Sequence, residues 1–482
     1  MGYRLVRALA RLLVAIFYRR VEVVGLERIP AGGPLILTAN HHEALVDPMI
    51  LLATVPRQLR PVAKAPLFRY PPIAPFLHLA GAIPVHRRQD PGSDPARNVE
   101  MFRTAIDTLR AGGAILIFPE GLSQAEPVLM LLRTGVARML LGGETNSNET
   151  PRATLLPVGL IFHEPGAFRA GWALVLVGEP VPTDDCLDLY RTAPEEAVRR
   201  LTARLAEALR RLIVEAEDRQ TLRLLEAVEA MRREESTDHE RNAVARTHWM
   251  QRVMRAYRYL QPREPARIEA FRREVERYVK DLELAGLTGR QLARSYTGGA
   301  VWRYAVREGL SLLLGLPLAL WGIANHLIPY QLTALGVRLV RPEPNVEATL
   351  KMCGGMLLFP LCWIGEGWTA WRLGGGWLLA LFIASLLPTG FFALTWRERL
   401  RRFAQEARAF LRFLVDRDLG RRLLARRRAL TDELTALARL VPDSVLLGET
   451  TEQPPHPTHN PLTFILSPPR GRGQGEGGEE KR

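Results

Sequence analysis

Two stretches that contain no Asp, Glu, Lys or Arg, Gly309 to Val337 and Leu373 to Trp396, limit most sharply what this chain can fold into. Each exceeds the roughly 20 apolar residues that carry a helix across a bilayer. Between them, Met352 to Ile364 is shorter and is followed by Glu366, so it reads either as a third span or as a re-entrant or interfacial element. Trp321, Tyr330, Trp377 and Trp396 fall where interface aromatics sit. Residues 301–400 are therefore predicted to be a membrane region of two or three helices. The competing reading is a set of buried helices inside a soluble domain.

Composition separates this region from the rest. Over 482 residues the mean hydropathy is −0.04, with 47% hydrophobic and 24% charged residues. Those values exclude a disordered chain and a transporter threaded through lipid from end to end. They fit an average over soluble and membrane parts. The net charge of +14 rests almost wholly on arginine, since Lys64, Lys280, Lys351 and Lys481 are the only lysines. Arg397 to Arg428 holds about twelve arginines against four acids, and such segments beside a span stay on the cytoplasmic side and meet anionic headgroups. That predicts a basic cytoplasmic helix over 401–445, with both flanks of the membrane region in the cytoplasm. No aromatic interleaving or recognisable module points to nucleic acid. Cys186, Cys353 and Cys362 are too few and too scattered for a disulfide framework or a zinc site. Residues 446–482, rich in Pro, Gly and charge, read as a disordered tail.

At the other end, Arg4, Arg7 and Arg11 recur at helical spacing, and Leu5, Leu9, Leu12 and Ile16 recur on a different face. Residues 1–20 thus read as an amphipathic membrane-associated helix or as a surface helix on a soluble core. From Val21 to about 215, short apolar runs alternate with helical stretches. Ile36 to Thr38, Ile83 to Val85, Ala114 to Phe118, Leu155 to Leu160 and Ala173 to Val177 read as strands, with helices over Pro95 to Leu109 and Leu129 to Leu141. This is an α/β pattern, a central sheet flanked by helices, whose chemistry belongs on loops at strand ends. Residues 216–300 are charged and helical and read as a connector.

The chemistry-bearing residues cluster after those strands. Asn40-His41-His42-Glu43-Ala44-Leu45-Val46-Asp47-Pro48 follows the first run. A histidine beside a carboxylate is the equipment for general-base activation of a hydroxyl: imidazole takes the proton, and the carboxylate fixes its tautomer. Next come Gly81-Ala82-Ile83-Pro84-Val85-His86-Arg87, then Phe118-Pro119-Glu120-Gly121-Leu122-Ser123, then Leu155-Leu156-Pro157-Val158. Arg87 offers a bidentate grip on phosphate, and the Glu120-Gly121 turn allows close approach of a small polar ligand.

In this order and spacing the four blocks resemble the glycerolipid O-acyltransferase family, the glycerol-phosphate and lysophosphatidic acid acyltransferases. Val24 to Pro30 looks like the family's lead-in, and Leu132 to Arg138 like the segment after the Glu-Gly block. The resemblance implies a histidine base oriented by Asp47, with Asn40, Arg87, Glu120, Gly121, Ser123 and Arg133 on the substrate side. The family's common spacing of five would select His42 as the base, whereas pairing Asn40-His41 with Asp47-Pro48 favours His41. Leu122 and Gln124 stand where Thr and a basic residue are frequent, which makes Arg88, Arg133 and Arg138 candidates to replace the missing phosphate contact. The implied reaction moves an acyl group from acyl-CoA or acyl-carrier protein to a hydroxyl of glycerol 3-phosphate or a lysophospholipid, with no metal or other cofactor, at the cytoplasmic face of the inner membrane. Donor, phosphorylated glycerolipid acceptor and membrane lipids are then the partners. The alternative is a non-catalytic lipid-binding or scaffold protein built on the same domain.

Overall fold

Strands buried on both faces need apolar residues at every position, and the central strands of this protein meet that requirement. In the computed structural model, which describes residues 2–87, 98–144, 152–164, 166–169, 171–235, 243–292, 298–416 and 418–447, β2 (Leu35–Ala39) and β5 (Ala114–Ile117) are buried throughout. They pair in parallel, Leu35 opposite Ala114 and Thr38 opposite Ile117. Around them the sheet is completed by β1 (Arg20–Val24), β3 (Leu59–Lys64), β4 (Ile83–Val85), β6 (Thr154–His163) and β7 (Trp172–Val177), in the order β1-β7-β6-β2-β5-β3-β4. Every pairing is parallel except β6 with β7. The parallel centre requires helical crossovers, which cover both faces.

Alternation along β2 sorts its side chains. Leu35, Leu37 and Ala39 enter one core with α1 (Gly2–Phe17) and α2 (Val46–Thr54). Ile36 enters the other, with α4 (Asn98–Arg110), α5 (Gly135–Glu144), α6 (Asp184–Tyr190) and α7 (Pro194–Arg210); the short α3 (Ala74–Ala80) precedes β4. β1 and β3 escaped the sequence reading. β3 carries Arg60, Pro61 and Lys64 and so lacks an apolar run. The helix expected from Leu129 starts only at Gly135. Before that point the backbone donors are taken elsewhere, Leu129 by the Glu215 carboxylate, Met130 by that of Glu120 and Arg133 by the Pro119 carbonyl. Residues 95–97 of the other expected helix lie outside the described residues.

α1 docks on the sheet through Val6, Ala10, Val14 and Phe17. Arg7 and Arg11 donate to the Val55 and Ala53 carbonyls at 2.7 and 3.0 Å. Leu5 remains 62% exposed, whereas Leu9, Leu12 and Ile16 on the same face are half-buried.

Beyond the α/β unit, α8 (Arg219–Glu235), α9 (Ala243–Leu260), α10 (Pro265–Ala285) and α11 (Gly289–Leu292) form the expected charged helical stretch. They do not act as a bare connector. Val228, Val275 and Tyr278 share one core with Leu423, Leu430 and Leu437 of α14 (Leu419–Ala438), and Arg255 caps a carbonyl of α15 (Asp443–Leu447). Arg426 pairs with Glu274 and Asp281, and Arg267 with Glu433. The basic segment is thus folded back onto the acids of α10, and part of its charge is compensated within the protein. The tail from 448 lies outside the described residues.

Between these units run α12 (Gly298–Val340) and α13 (Pro344–Val415), of 43 and 72 residues, the second bent at Gly375, whose φ is 67°. Both are long and apolar enough to cross a membrane, and only 22% of the most apolar stretch of each is buried. A core helix would be covered; these leave Leu314, Trp377 and Ile383 in the open. Met352 to Ile364 lies inside continuous helix before the Gly375 bend, so no re-entrant turn forms there. Trp321 and Trp396 donate across the helix pair, to Ser385 Oγ and the Leu312 carbonyl, and thereby brace it. Ile16, Phe168, His326, Tyr330 and Trp363 help line an apolar cavity of about 160 Å³ where α1 meets the pair.

Among the glycines of α12 and α13 the closest backbone approach is at Gly322, where an added Cβ would lie 2.2 Å from the Thr389 carbonyl oxygen. Gly322→Ala is expected to lower the thermal midpoint of the detergent-solubilised protein, at a cost on the order of 1–3 kcal/mol. Gly336→Ala, with nothing within 4 Å of its Cβ position, is the matched control and should leave the midpoint in place.

Candidate active site

Adjacent parallel strands present their following loops side by side, and in open α/β sheets that carboxyl edge is where ligands bind. Here β2 ends at Ala39 and β5 at Ile117, so the segments 40–47 and 118–124 meet. Asn40 sets the first of them. Its side chain exchanges two hydrogen bonds with the Leu160 backbone, at 2.9 and 2.7 Å, and is fully buried. It fixes the strand end rather than reaching outward.

The centre of the loop is the Asp47 carboxylate, which is fully buried. Its Oδ2 accepts from His41 Nδ1 at 2.7 Å, from the His42 amide at 2.8 Å and from the Glu43 amide at 2.9 Å. Three donors on one oxygen stabilise the anion and make His41 Nδ1 the protonated nitrogen, which leaves Nε2 as the basic one. The His41 ring stacks on Phe118, with centroids 4.2 Å apart, and keeps 17% of its side chain exposed. His42 is arranged differently. Its Nδ1 faces the Gln124 carbonyl at 3.1 Å, and burial pushes its imidazole below the ordinary range. Of the two histidines only His41 is paired through its ring to Asp47.

Glu120 also turns inward. It is 1% exposed, and its two oxygens accept from the His41 amide at 2.7 Å and the Met130 amide at 3.0 Å. Burial raises its carboxyl to about 7. Gly121, at φ 78°, adopts a conformation that suits glycine, and its carbonyl accepts from Arg87 Nη1 at 2.6 Å. Arg133 packs over the same glycine, its Cγ 3.3 Å from where a Cβ would stand. Arg87 and Arg133 thus flank one turn, placing two guanidinium groups beside the histidine loop. Arg138 instead bonds Thr134 and approaches Glu195 at 4.0 Å, and Arg88 lies outside the described residues. Ser123 meets a residue from far along the chain, with Asn345 Nδ2 donating to its carbonyl at 3.0 Å and its Oγ at 3.2 Å. Among the described residues no group of three or more His, Cys, Asp or Glu is placed to hold a metal ion.

Known proteins similar to this chain share one family. A family model described as Acyltransferase matches residues 20–160. The α/β unit is an acyltransferase domain. Over 131 residues the chain is 32% identical to glycerol-3-phosphate O-acyltransferase 2 of Saccharomyces cerevisiae, covering 27% of this chain and 17% of that protein. It is 28% identical over 181 residues to a 1-acyl-sn-glycerol-3-phosphate acyltransferase of Borreliella burgdorferi, covering 38% and 69%. With the chloroplastic 1-acyl-sn-glycerol-3-phosphate acyltransferase LPAT1 of Arabidopsis thaliana it shares 23% over 167 residues, 34% of this chain and 44% of that one. A crystal structure of the 1-acyl-sn-glycerophosphate acyltransferase PlsC from Thermotoga maritima superposes on 43% of this chain and 79% of that one, at 19% identity and a TM-score of 0.31. The chain thus spans less than half the length of the yeast and plant relatives. The matched segment carries all four sequence blocks and both histidines, and ends within β6, before β7.

Two partners of the acyltransferase loops gave no signal in the sequence. Thr349 Oγ1 accepts the Leu45 amide at 3.1 Å, and Asn345 holds Ser123; both lie about 300 and 220 residues from the atoms they bind. Glu43 is the other unexpected group. It is 2% exposed, its Oε2 has no hydrogen-bond partner among the described residues, and burial with the nearby Asp47 charge raises it to about 8. A carboxyl raised on folding favours the native state fully below its unfolded value of about 4.5, and that contribution is lost as pH rises through the folded value. Thermal midpoints should therefore fall between about pH 4.5 and 8. Glu43→Gln should raise the midpoint near pH 8 and leave it unchanged near pH 4.5, read by thermal unfolding across that range.

Proposed function

We propose that this protein is a membrane-bound O-acyltransferase that moves a fatty acyl group from a thioester, acyl-CoA or acyl-carrier protein, to a hydroxyl of glycerol 3-phosphate or 1-acylglycerol 3-phosphate. The observation that carries the reading is the 2.7 Å bond between His41 Nδ1 and Asp47 Oδ2 in an acyltransferase domain whose neighbouring turn is flanked by Arg87 and Arg133. With Nδ1 committed to Asp47, Nε2 accepts the proton of the acceptor hydroxyl as its oxygen attacks the thioester carbonyl. The imidazolium that forms lies against the Asp47 anion, which stabilises it. Collapse of the tetrahedral intermediate expels the thiol, and His41 returns its proton to the departing sulfur. Arg87 and Arg133 supply positive charge for the acceptor phosphate. The named activities of the relatives supply the acceptor class.

Membrane attachment follows from the two long, largely uncovered apolar helices, and it suits a reaction whose acyl chains partition into lipid. The arginines that follow Trp396 favour the cytoplasmic face of the inner membrane for the catalytic unit.

The test is acyl transfer by the purified chain in nanodiscs, with labelled acyl-CoA or acyl-carrier protein and a panel of glycerol 3-phosphate, 1-acylglycerol 3-phosphate and zwitterionic lysophospholipids. His41→Ala and Asp47→Asn are expected to lower kcat by about 10²–10⁴-fold, with a smaller loss in His42→Ala. Arg87→Ala should raise KM for the phosphorylated acceptor and leave KM for the donor nearly unchanged. Turnover retained in both His41→Ala and Asp47→Asn would overturn the reading and favour a lipid-binding role.

A further inference from the structure

The loop that carries the His41–Asp47 pair is held from outside the acyltransferase domain. Ala44, a residue with a side chain, sits at φ 42°, a left-handed conformation that costs an L-residue on the order of 1 kcal/mol. The next amide, Leu45 N–H, lies at the N-terminus of α2, where the helix offers it no carbonyl. Its acceptor is Thr349 Oγ1.

Thr349 does not act alone. Asn345, Ala348, Thr349 and Met352 fall at the i, i+3, i+4, i+7 positions of one helix face, and Asn345, Ala348 and Met352 are 5%, 0% and 5% exposed. Ala348 and Met352 belong to the same core as Leu37, Ala39 and Val46. One turn before Thr349, Asn345 reaches the second loop at Ser123. On the adjoining side Lys351 Nζ donates to the Gly166 carbonyl at 2.7 Å and pairs with Glu347 at 2.6 Å. A single helix face therefore touches both segments that flank His41, the 40–47 loop through Thr349 and the 118–124 turn through Asn345. The same helix runs on into the apolar stretch.

Resting on the acyltransferase reading above, we infer that Asn345 and Thr349 are positioning residues for the acyl-transfer centre: the first turns of α13 hold the histidine loop and the Glu-Gly turn in register. Neither residue touches the reacting atoms. Thr349 acts through Leu45 on the backbone whose amides bind Asp47, and Asn345 acts through Ser123 on the turn that carries Glu120 and Gly121.

The experiment uses the full chain in nanodiscs, with two readouts. The first is steady-state kinetics with the acceptor that the wild-type protein uses. Thr349→Val keeps the side-chain shape and removes the acceptor oxygen; its kcat is expected to fall about 5- to 20-fold, with both KM values within about threefold. Thr349→Ser should restore kcat to near the wild-type value. Asn345→Ala should lower kcat in the same range. The second readout is hydrogen exchange of peptides covering 43–47 and 120–124, which needs no substrate. Loss of one hydrogen bond should speed Leu45 amide exchange about five- to tenfold in Thr349→Val and leave it unchanged in Thr349→Ser. Thr349→Val with unaltered kcat and exchange would overturn the inference, as would Thr349→Ser behaving like the valine variant. If the wild-type protein acylates nothing on the panel, the acyltransferase reading fails, and the exchange result alone decides whether the helix holds the loops.

Discussion

One carboxylate oxygen organises the carboxyl edge of the sheet in this protein. Asp47 Oδ2 collects the His41 ring and two successive amides, so a buried charge that would be costly alone is repaid by three directed donors. The consequences spread outward. The two amides fix the turn after Asn40, the ring bond fixes the histidine tautomer, and Phe118 closes the other face of the imidazole. Because Asp47 lies in the first turn of α2, it also ties the turn to a helix packed in the core. The arrangement holds the His41 ring in one place, and it comes with a second acid, Glu43, left close by with no partner for one of its oxygens among the described residues.

Several features of this arrangement were written in the sequence and others were not. The strands β2, β5 and the core of β6 were legible because strands buried on both faces must be continuously apolar. The Asn40 to Asp47 and Phe118 to Gly121 segments were legible because they follow such strands directly. β3 was not, since its charged and proline positions hide its role at the edge of the parallel centre. Asn40 and Glu120 read from the sequence as substrate-side residues, whereas their side chains face backbone amides and carbonyls. A polar residue in a motif does not reveal whether it serves a ligand or the chain itself. Between His41 and His42 the sequence offered only spacing and the pairing of Asn40-His41 with Asp47-Pro48, whereas in the structure only the His41 ring bonds Asp47. Asn345 and Thr349 had no local pattern at all, because their significance arises only from a tertiary contact.

Charge has two distinct uses in this molecule. At the carboxyl edge of the sheet Arg87 and Arg133 converge on Gly121, which gathers positive charge beside the His41 loop. Near the end of the apolar helices, Glu398 draws in Arg19 and Arg169, each at 2.9 Å, and Arg399 pairs with Glu308 at 2.8 Å. Farther on, arginines of α14 bind acids of α10. The arginine-rich segment is therefore partly structural cement between helices, and the formal net charge overstates what a membrane surface would meet.

The bridge from Glu398 to Arg19 and Arg169 has a geometric consequence. Together with the seating of Ala348 and Met352 in the α/β core, it removes the slack that a flexible tether would give. On the membrane-bound acyltransferase reading proposed above, His41 then stands at a set height above the bilayer and cannot swing out to meet a diffusing thioester. Donors must descend to that height, and acceptors are sorted by how far their headgroups rise to it.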